Sequence, residues 1–150
     1  MLVCVTPGCL KMAADWKADL HSEEKLKNLI RKVAGIQVPQ DALVLEAYSH
    51  GVRDTSFWCV LSAEKEEAKA LLQSAEQVLG SPIEDKSFWV GLTPTAEQTG
   101  PCAPFIEIAR KQSPQVHLFP LPPGDKNFTA GTMVIVIPER AWVIIHHRNS

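Results

Sequence analysis

The chain has 150 residues, a formal net charge of −2 at pH 7 and a pI near 6.2. That length suits one domain with a single well-filled core, and the slight acidity removes the electrostatic case for nucleic acid or an anionic membrane surface as a partner. No apolar run approaches the length needed to span a bilayer.

The first ten residues lack a basic region, and their apolar run stops at Pro7-Gly8, so no signal peptide is expected. Cys4, Cys9, Cys59 and Cys102 are scattered without the dense spacing of a disulfide-stapled scaffold. Free thiols in a soluble, cytoplasmic protein are the expectation. Residues 2–6 suit a short edge strand and residues 9–20 a loosely patterned helix, which leaves 1–21 as a peripheral part of a single domain over 1–150. From Ser22 the pattern sharpens. Ser22 is a good N-cap, Glu23 and Glu24 suit the positive end of a helix dipole, and Gly35 can close the helix. Leu26, Leu29, Ile30, Val33 and Ala34 fall on one apolar face, with Lys25, Lys27, Arg31 and Lys32 on the wet side.

Residues 41–49 predict a strand, His50-Gly51 a turn, and residues 55–61 an antiparallel partner. Ser62 is the expected cap of a helix running to Leu79, whose inner face carries Ala68, Leu71, Leu72, Ala75, Val78 and Leu79; Gly80 and Pro82 end it. Residues 88–92 then read as a strand and 93–101 as a polar loop. A short helix is expected over 104–112, a strand over 116–119, and an extended proline-rich segment from Pro120 to Gly124.

The strongest signal lies at residues 132–147, where two β-branched runs flank Pro138-Glu139-Arg140-Ala141 and so spell a hairpin. A turn centred on Glu139-Arg140 sets Ile137 against Trp142, Ile135 against Ile144 and Met133 against His146 on one face. Val136 with Val143, Val134 with Ile145, and Thr132 with His147 share the other. Both faces are apolar, so each needs cover, from within the chain or from a second subunit.

An internal echo relates Asp54-Thr-Ser-Phe-Trp58 with Leu61 to Asp85-Lys-Ser-Phe-Trp89 with Leu92. As a repeated strand-to-helix unit it would point Phe and Trp to opposite faces of a sheet; as a functional pair, Trp58 and Trp89 would wall a pocket or interface. Packing is the favoured alternative, because aromatic residues in strands are usually core.

The familiar catalytic signatures are missing: no phosphate-cradling glycine loop, no Gly-x-Ser-x-Gly elbow, no His-Glu-x-x-His and no Cys-x-x-Cys. Cys4 and Cys9 flank Pro7-Gly8 and would hold a metal only if His21 or the terminal histidines joined them. Structural zinc pairs are closer and come with a second pair, so neither a metal nor a cofactor is expected. His50, Arg53 and Asp54 gather beside the first turn, as turn residues do, with no nucleophile placed next to them. Cys59, inside an apolar strand, reads as an inert core thiol. His146 and His147 point to opposite faces, and His146 shares its face with Trp142.

These patterns predict an α+β fold: a mixed or mainly antiparallel sheet with helices packed on it, closing in a C-terminal β-hairpin. The leading functional expectation is a non-enzymatic binding or protein-interaction module, with a homodimer or another protein as partner and no nucleic acid or membrane. The alternative is a small-molecule binder or small enzyme with an aromatic pocket of Trp58, Trp89 and Trp142 and with His146 as the candidate acid or base.

Overall fold

A hairpin that is apolar on both faces demands two layers of cover, and the chain supplies both. The computed structural model describes residues 23–50, 56–128 and 130–149. The amino-terminal strand and helix expected over 2–20, the metal-ligand set of Cys4, Cys9 and His21, and the turn residues Arg53 and Asp54 lie outside the described residues.

Helix α1 spans Glu23–Ala34 and is closed by Gly35, whose φ of +74° is the left-handed geometry that favours glycine. Strands β1 (Leu43–His50) and β2 (Ser56–Ser62) form an antiparallel pair. Helix α2 (Lys65–Leu79) follows, then the two-residue strand β3 (Ile83–Glu84) and two short helices, α3 (Lys86–Gly91) and α4 (Ala96–Thr99). A 3₁₀ turn at Gly100–Cys102 leads into α5 (Ala103–Arg110). Strands β4 (Gln115–Pro120), β5 (Gly131–Ile137) and β6 (Trp142–Arg148) complete a six-stranded sheet of order β1-β2-β6-β5-β4-β3, antiparallel throughout.

The hairpin has the register expected from its sequence: Ile137 faces Trp142, Ile135 faces Ile144, Met133 faces His146, and Thr132 faces His147. Its two faces feed two separate cores. Val134, Val136, Val143 and Ile145 join Phe57, Cys59 and Leu61 under Leu26 and Ile30 of α1 and Leu71 and Ala75 of α2. Met133, Ile135, Ile137 and Ile144 join Trp58 and Val60 under Trp89, Cys102, Ile106 and Ala109. Phe57 and Trp58 thus enter opposite cores, as strand alternation requires. All seven residues of β5 are buried, and burial on this scale is the main stabilising contribution to the fold.

Val78, expected on the inner face of α2, is 65 % exposed, and three expectations about local structure are also corrected. Residues 88–92 are not a strand. The Asp85 carboxylate accepts from the Ser87 N–H at 2.9 Å and from its hydroxyl at 2.6 Å, starting α3 instead. Helical spacing buries Trp89 and leaves Val90 at 69 % exposure, so the Ser-Phe-Trp echo is not a structural repeat. Ser62 ends β2 and does not cap α2; Glu64 is the N-cap, in a capping-box arrangement in which the Glu64 N–H donates to the Glu67 carboxylate at 3.1 Å. The loop expected over 93–101 contains α4, whose Thr95 and Gln98 form a second capping box.

The β1 edge is guarded. Val44 pairs with Leu61 and Glu46 with Val60, so Leu45 is an extra, bulged residue. The Val44 N–H is satisfied by the Glu23 carboxylate at 3.2 Å. A bulge and an occupied donor both disfavour addition of another strand. At the opposite edge β3 covers β4 only at His117 and Leu118. Among the described residues, no helix is long and apolar enough to cross a membrane.

Candidate functional site

Two places on the fold bring chemistry-bearing residues together: a sealed polar seam at the end of β6, and an open groove at the other end of the hairpin.

The seam arises because β2 and β6 are neighbours, with Trp58 opposite His146. Their rings stack with centroids 3.9 Å apart and an interplanar angle of 21°. His146 is 4 % exposed and its Nδ1 lies 3.1 Å from the Phe57 carbonyl oxygen, so the neutral ring that donates from Nδ1 fits the site. Burial pushes its pKa from 6.5 down to about 3; the nearby Arg148 and His147 push the same way, against the Phe57 hydrogen bond. A ring that burial holds neutral is a weak proton acceptor near pH 7. Trp58 and Trp89 share one core at 1 % and 2 % exposure. Trp142, half-buried at the start of β6, packs against the edge of the same core, with Phe105 edge-on at 5.2 Å and the Arg140 guanidinium 5.7 Å from its ring centre. The structure therefore brings Trp58 and His146 into contact, places Trp89 within the same buried cluster under the Arg110 guanidinium at 5.2 Å, and sets Trp142 at the rim of that cluster, half-buried.

On the other face, the Thr132 hydroxyl lies 2.7 Å from His147 Nδ1, and His147 Nε2 lies 3.1 Å from Asn149 Oδ1. Hydroxyl, imidazole and amide in line have the order of a nucleophile, its base and the group that orients the base. Thr132 is only 1 % exposed, however, and also reaches the Ala34 carbonyl at 3.3 Å. A hydroxyl sealed in this way meets no substrate. The chain instead ties one of the last carbonyls of α1, which lacks a helical partner, to β5, β6 and the residue beyond. Burial holds the His147 pKa below its ordinary value, against the Asn149 hydrogen bond.

Arg148 was not singled out by the sequence. Its guanidinium lies over Phe88 at 5.2 Å and Phe128 at 5.5 Å, and it donates to the Phe128 carbonyl. Its Nε is buried without a partner. His50 stacks on Tyr48, with ring centres 6.5 Å apart. Cys59 is fully buried, and burial, then the neighbouring Cys102, raises its thiol pKa well above the ordinary value. In peptide-resolved labelling at pH 8, Cys59 is expected to react at least about a hundredfold more slowly with iodoacetamide in the native protein than in urea. Equal rates would mean that strand β2 is not packed as described. Among the described residues, no cluster of three or more His, Cys, Asp or Glu could hold a metal ion.

The groove opens where α2 diverges from the hairpin. The Ala63 N–H donates to the Ala141 carbonyl at 2.8 Å, pinning the chain beside the β5–β6 turn just before α2 leaves. Between helix and turn lies a cavity of about 610 Å³. Ala68, Leu72, Val136, Ile137, Pro138 and Trp142 supply its apolar lining, with Gln115 at one side and Glu64, Lys65 and Lys69 at the mouth. Its volume falls within the range of small-ligand sites. Trp142 was visible as a candidate in the sequence. The rest of the lining was not, because helix α2 and the β5–β6 turn meet only through tertiary structure.

No protein-family model, curated protein or solved structure matches this chain.

Proposed function

We propose that the protein is a non-enzymatic binding module whose ligand occupies the groove between α2 and the β5–β6 turn. The observation that carries this reading is the contrast between two aromatic environments. Trp58, Trp89 and His146 are sealed in the core, whereas Trp142 borders an open apolar cavity. An enzyme using His146 would need that core to open and the imidazole to regain its proton affinity. The helices of the same chain cover both faces of the sheet, so a homodimer would have to form through strand edges or helix surfaces.

A thermal-shift screen of small metabolites tests the proposal, with Gln115→Trp as the control variant. Gln115 is exposed at the start of β4, where tryptophan suits the strand and would fill the groove. Compounds present at about 100 Kd are expected to stabilise the wild-type protein by roughly 2.7 kcal/mol and to leave Gln115→Trp unmoved. Equal stabilisation of both proteins would place the ligand elsewhere, and a screen without hits would count against a small-molecule groove.

A further inference from the structure

We infer that strand β1 is a latent self-pairing edge, closed over its straight half by the carboxylate of Glu46. The inference is independent of the groove at the start of α2. Among the described residues, β1 has β2 as its only neighbour in the sheet, and the free side of such a strand is a template for another chain. Its first half is blocked by the bulge at Leu45 and by Glu23 on the Val44 N–H. The second half, Glu46 to His50, pairs with β2 without interruption and is long enough to pair again on its other side.

The register shows which backbone groups face that side. The Ala63 N–H donates across to the Ala141 carbonyl, so Leu61, Cys59 and Phe57, at even steps before it, also turn their backbone groups towards β6. Their opposites on β1, Val44, Ala47 and Ser49, turn away from β2, in keeping with the Val44 bond to Glu23. Two β1 strands laid antiparallel about Tyr48 then set Ala47 of one copy against Ser49 of the other, and each such pair exchanges both backbone bonds. This match of the strand to itself selects a second copy as the occupant, joined about a twofold axis. Leu43 and Leu45, 54 % and 40 % exposed, add apolar surface on the same strand. Glu46 stands in the way. Its carboxylate takes the Ala47 N–H at 3.4 Å and so occupies a donor that self-pairing needs. The contact is longer than a usual N–H···O bond, which makes the closure reversible.

Sedimentation velocity on the full chain, paired with amide hydrogen exchange, tests the assignment. Wild type should remain monomeric, and Glu46→Thr, which keeps a good strand residue but cannot reach the Ala47 N–H, should self-associate at least about tenfold more tightly. Exchange of the Ala47 and Ser49 amides in that variant should slow as its concentration rises. Adding Ser49→Pro should restore the monomer, because it removes an N–H on the free side at no cost to the bonds with β2. Glu24→Ala, which removes the same charge without touching a β1 amide, should behave as wild type. The closure is overturned if Glu46→Thr sediments as wild type does, or if wild type already associates with those amides protected. Equal association of Glu24→Ala would trace the effect to net charge and overturn it as well. Association of Glu46→Thr that leaves the Ala47 and Ser49 amides unchanged would put the contact elsewhere and remove β1 as the pairing edge.

Discussion

Stability measured by urea denaturation is expected to fall steeply as the pH is lowered from 6.5, with His146 as the largest single cause. The sign follows from proton binding. In the unfolded chain the imidazole takes up a proton near pH 6.5, but in the folded protein only near pH 3. Between those values the unfolded state holds the extra proton, so acid favours unfolding. The stabilisation is fully present above pH 6.5 and is lost progressively towards pH 3. A separation of that size corresponds to about 5 kcal/mol, a large share of the stability of an ordinary domain. Burial lowers the pKa of His147 and of His117 as well, so both add to the same slope. His146→Phe keeps a ring on Trp58 but removes the titration. Its stability should depend on pH near 5 with a slope smaller by about 1.4 kcal/mol per pH unit, the equivalent of one proton. Coincident slopes for wild type and variant would mean that the folded protein does not hold His146 neutral. Because the comparison is of slopes, it survives any constant loss of stability in the variant.

The second large effect is expected at Gly131. This residue opens β5 at φ +132°, and a Cβ there would lie 2.3 Å from the Phe119 carbonyl oxygen and 2.8 Å from the Pro120 Cα. Both obstacles are backbone of the neighbouring strand, so neither can rotate away. Gly131→Ala should cost roughly 3 kcal/mol or more, from the disfavoured φ together with a forced displacement of β4. Gly124→Ala is the matched control: its φ of +86° is also disfavoured, but nothing lies within 4 Å of the added carbon. That variant should lose only about 1 kcal/mol. If the two alanine variants are equally stable in urea denaturation, the close approach of β4 and β5 at Gly131 is not as described.

The hairpin was legible because its information is local. Alternation fixes which side chains share a face, the turn fixes the register, and an apolar pattern on both faces implies two layers of cover. The helices of the first core were legible for a similar reason: Leu26, Ile30, Leu71 and Ala75 recur at helical spacing, and all four are buried. Ser-Phe-Trp shows where local pattern runs out. The first copy continues into Cys59, Val60 and Leu61 and stays extended. Both copies follow an aspartate, so that residue does not separate them in the sequence; the second is soon followed by Gly91 and Pro94, and it coils. The contact between Trp58 and His146 depends on β2 lying beside β6, an adjacency that no stretch of sequence encodes by itself. The groove is further removed still. Trp142 could be named as a candidate pocket aromatic, but Ala68 and Leu72, which line the groove with it, reach it only when α2 is placed against the turn.

Full burial of β5 also divides the molecule by its tolerance of change. Every position from Gly131 to Ile137 is buried, and Met133 to Ile137 alternate between the two cores, so a charged residue introduced there is carried into the interior. The adjoining turn Pro138–Arg140 contains no buried residue, and the groove mouth at Glu64, Lys65 and Lys69 is equally exposed. New recognition properties are therefore open to this fold at the ends of its strands. The central ribbon acts as a fixed frame on which those ends can be rewritten.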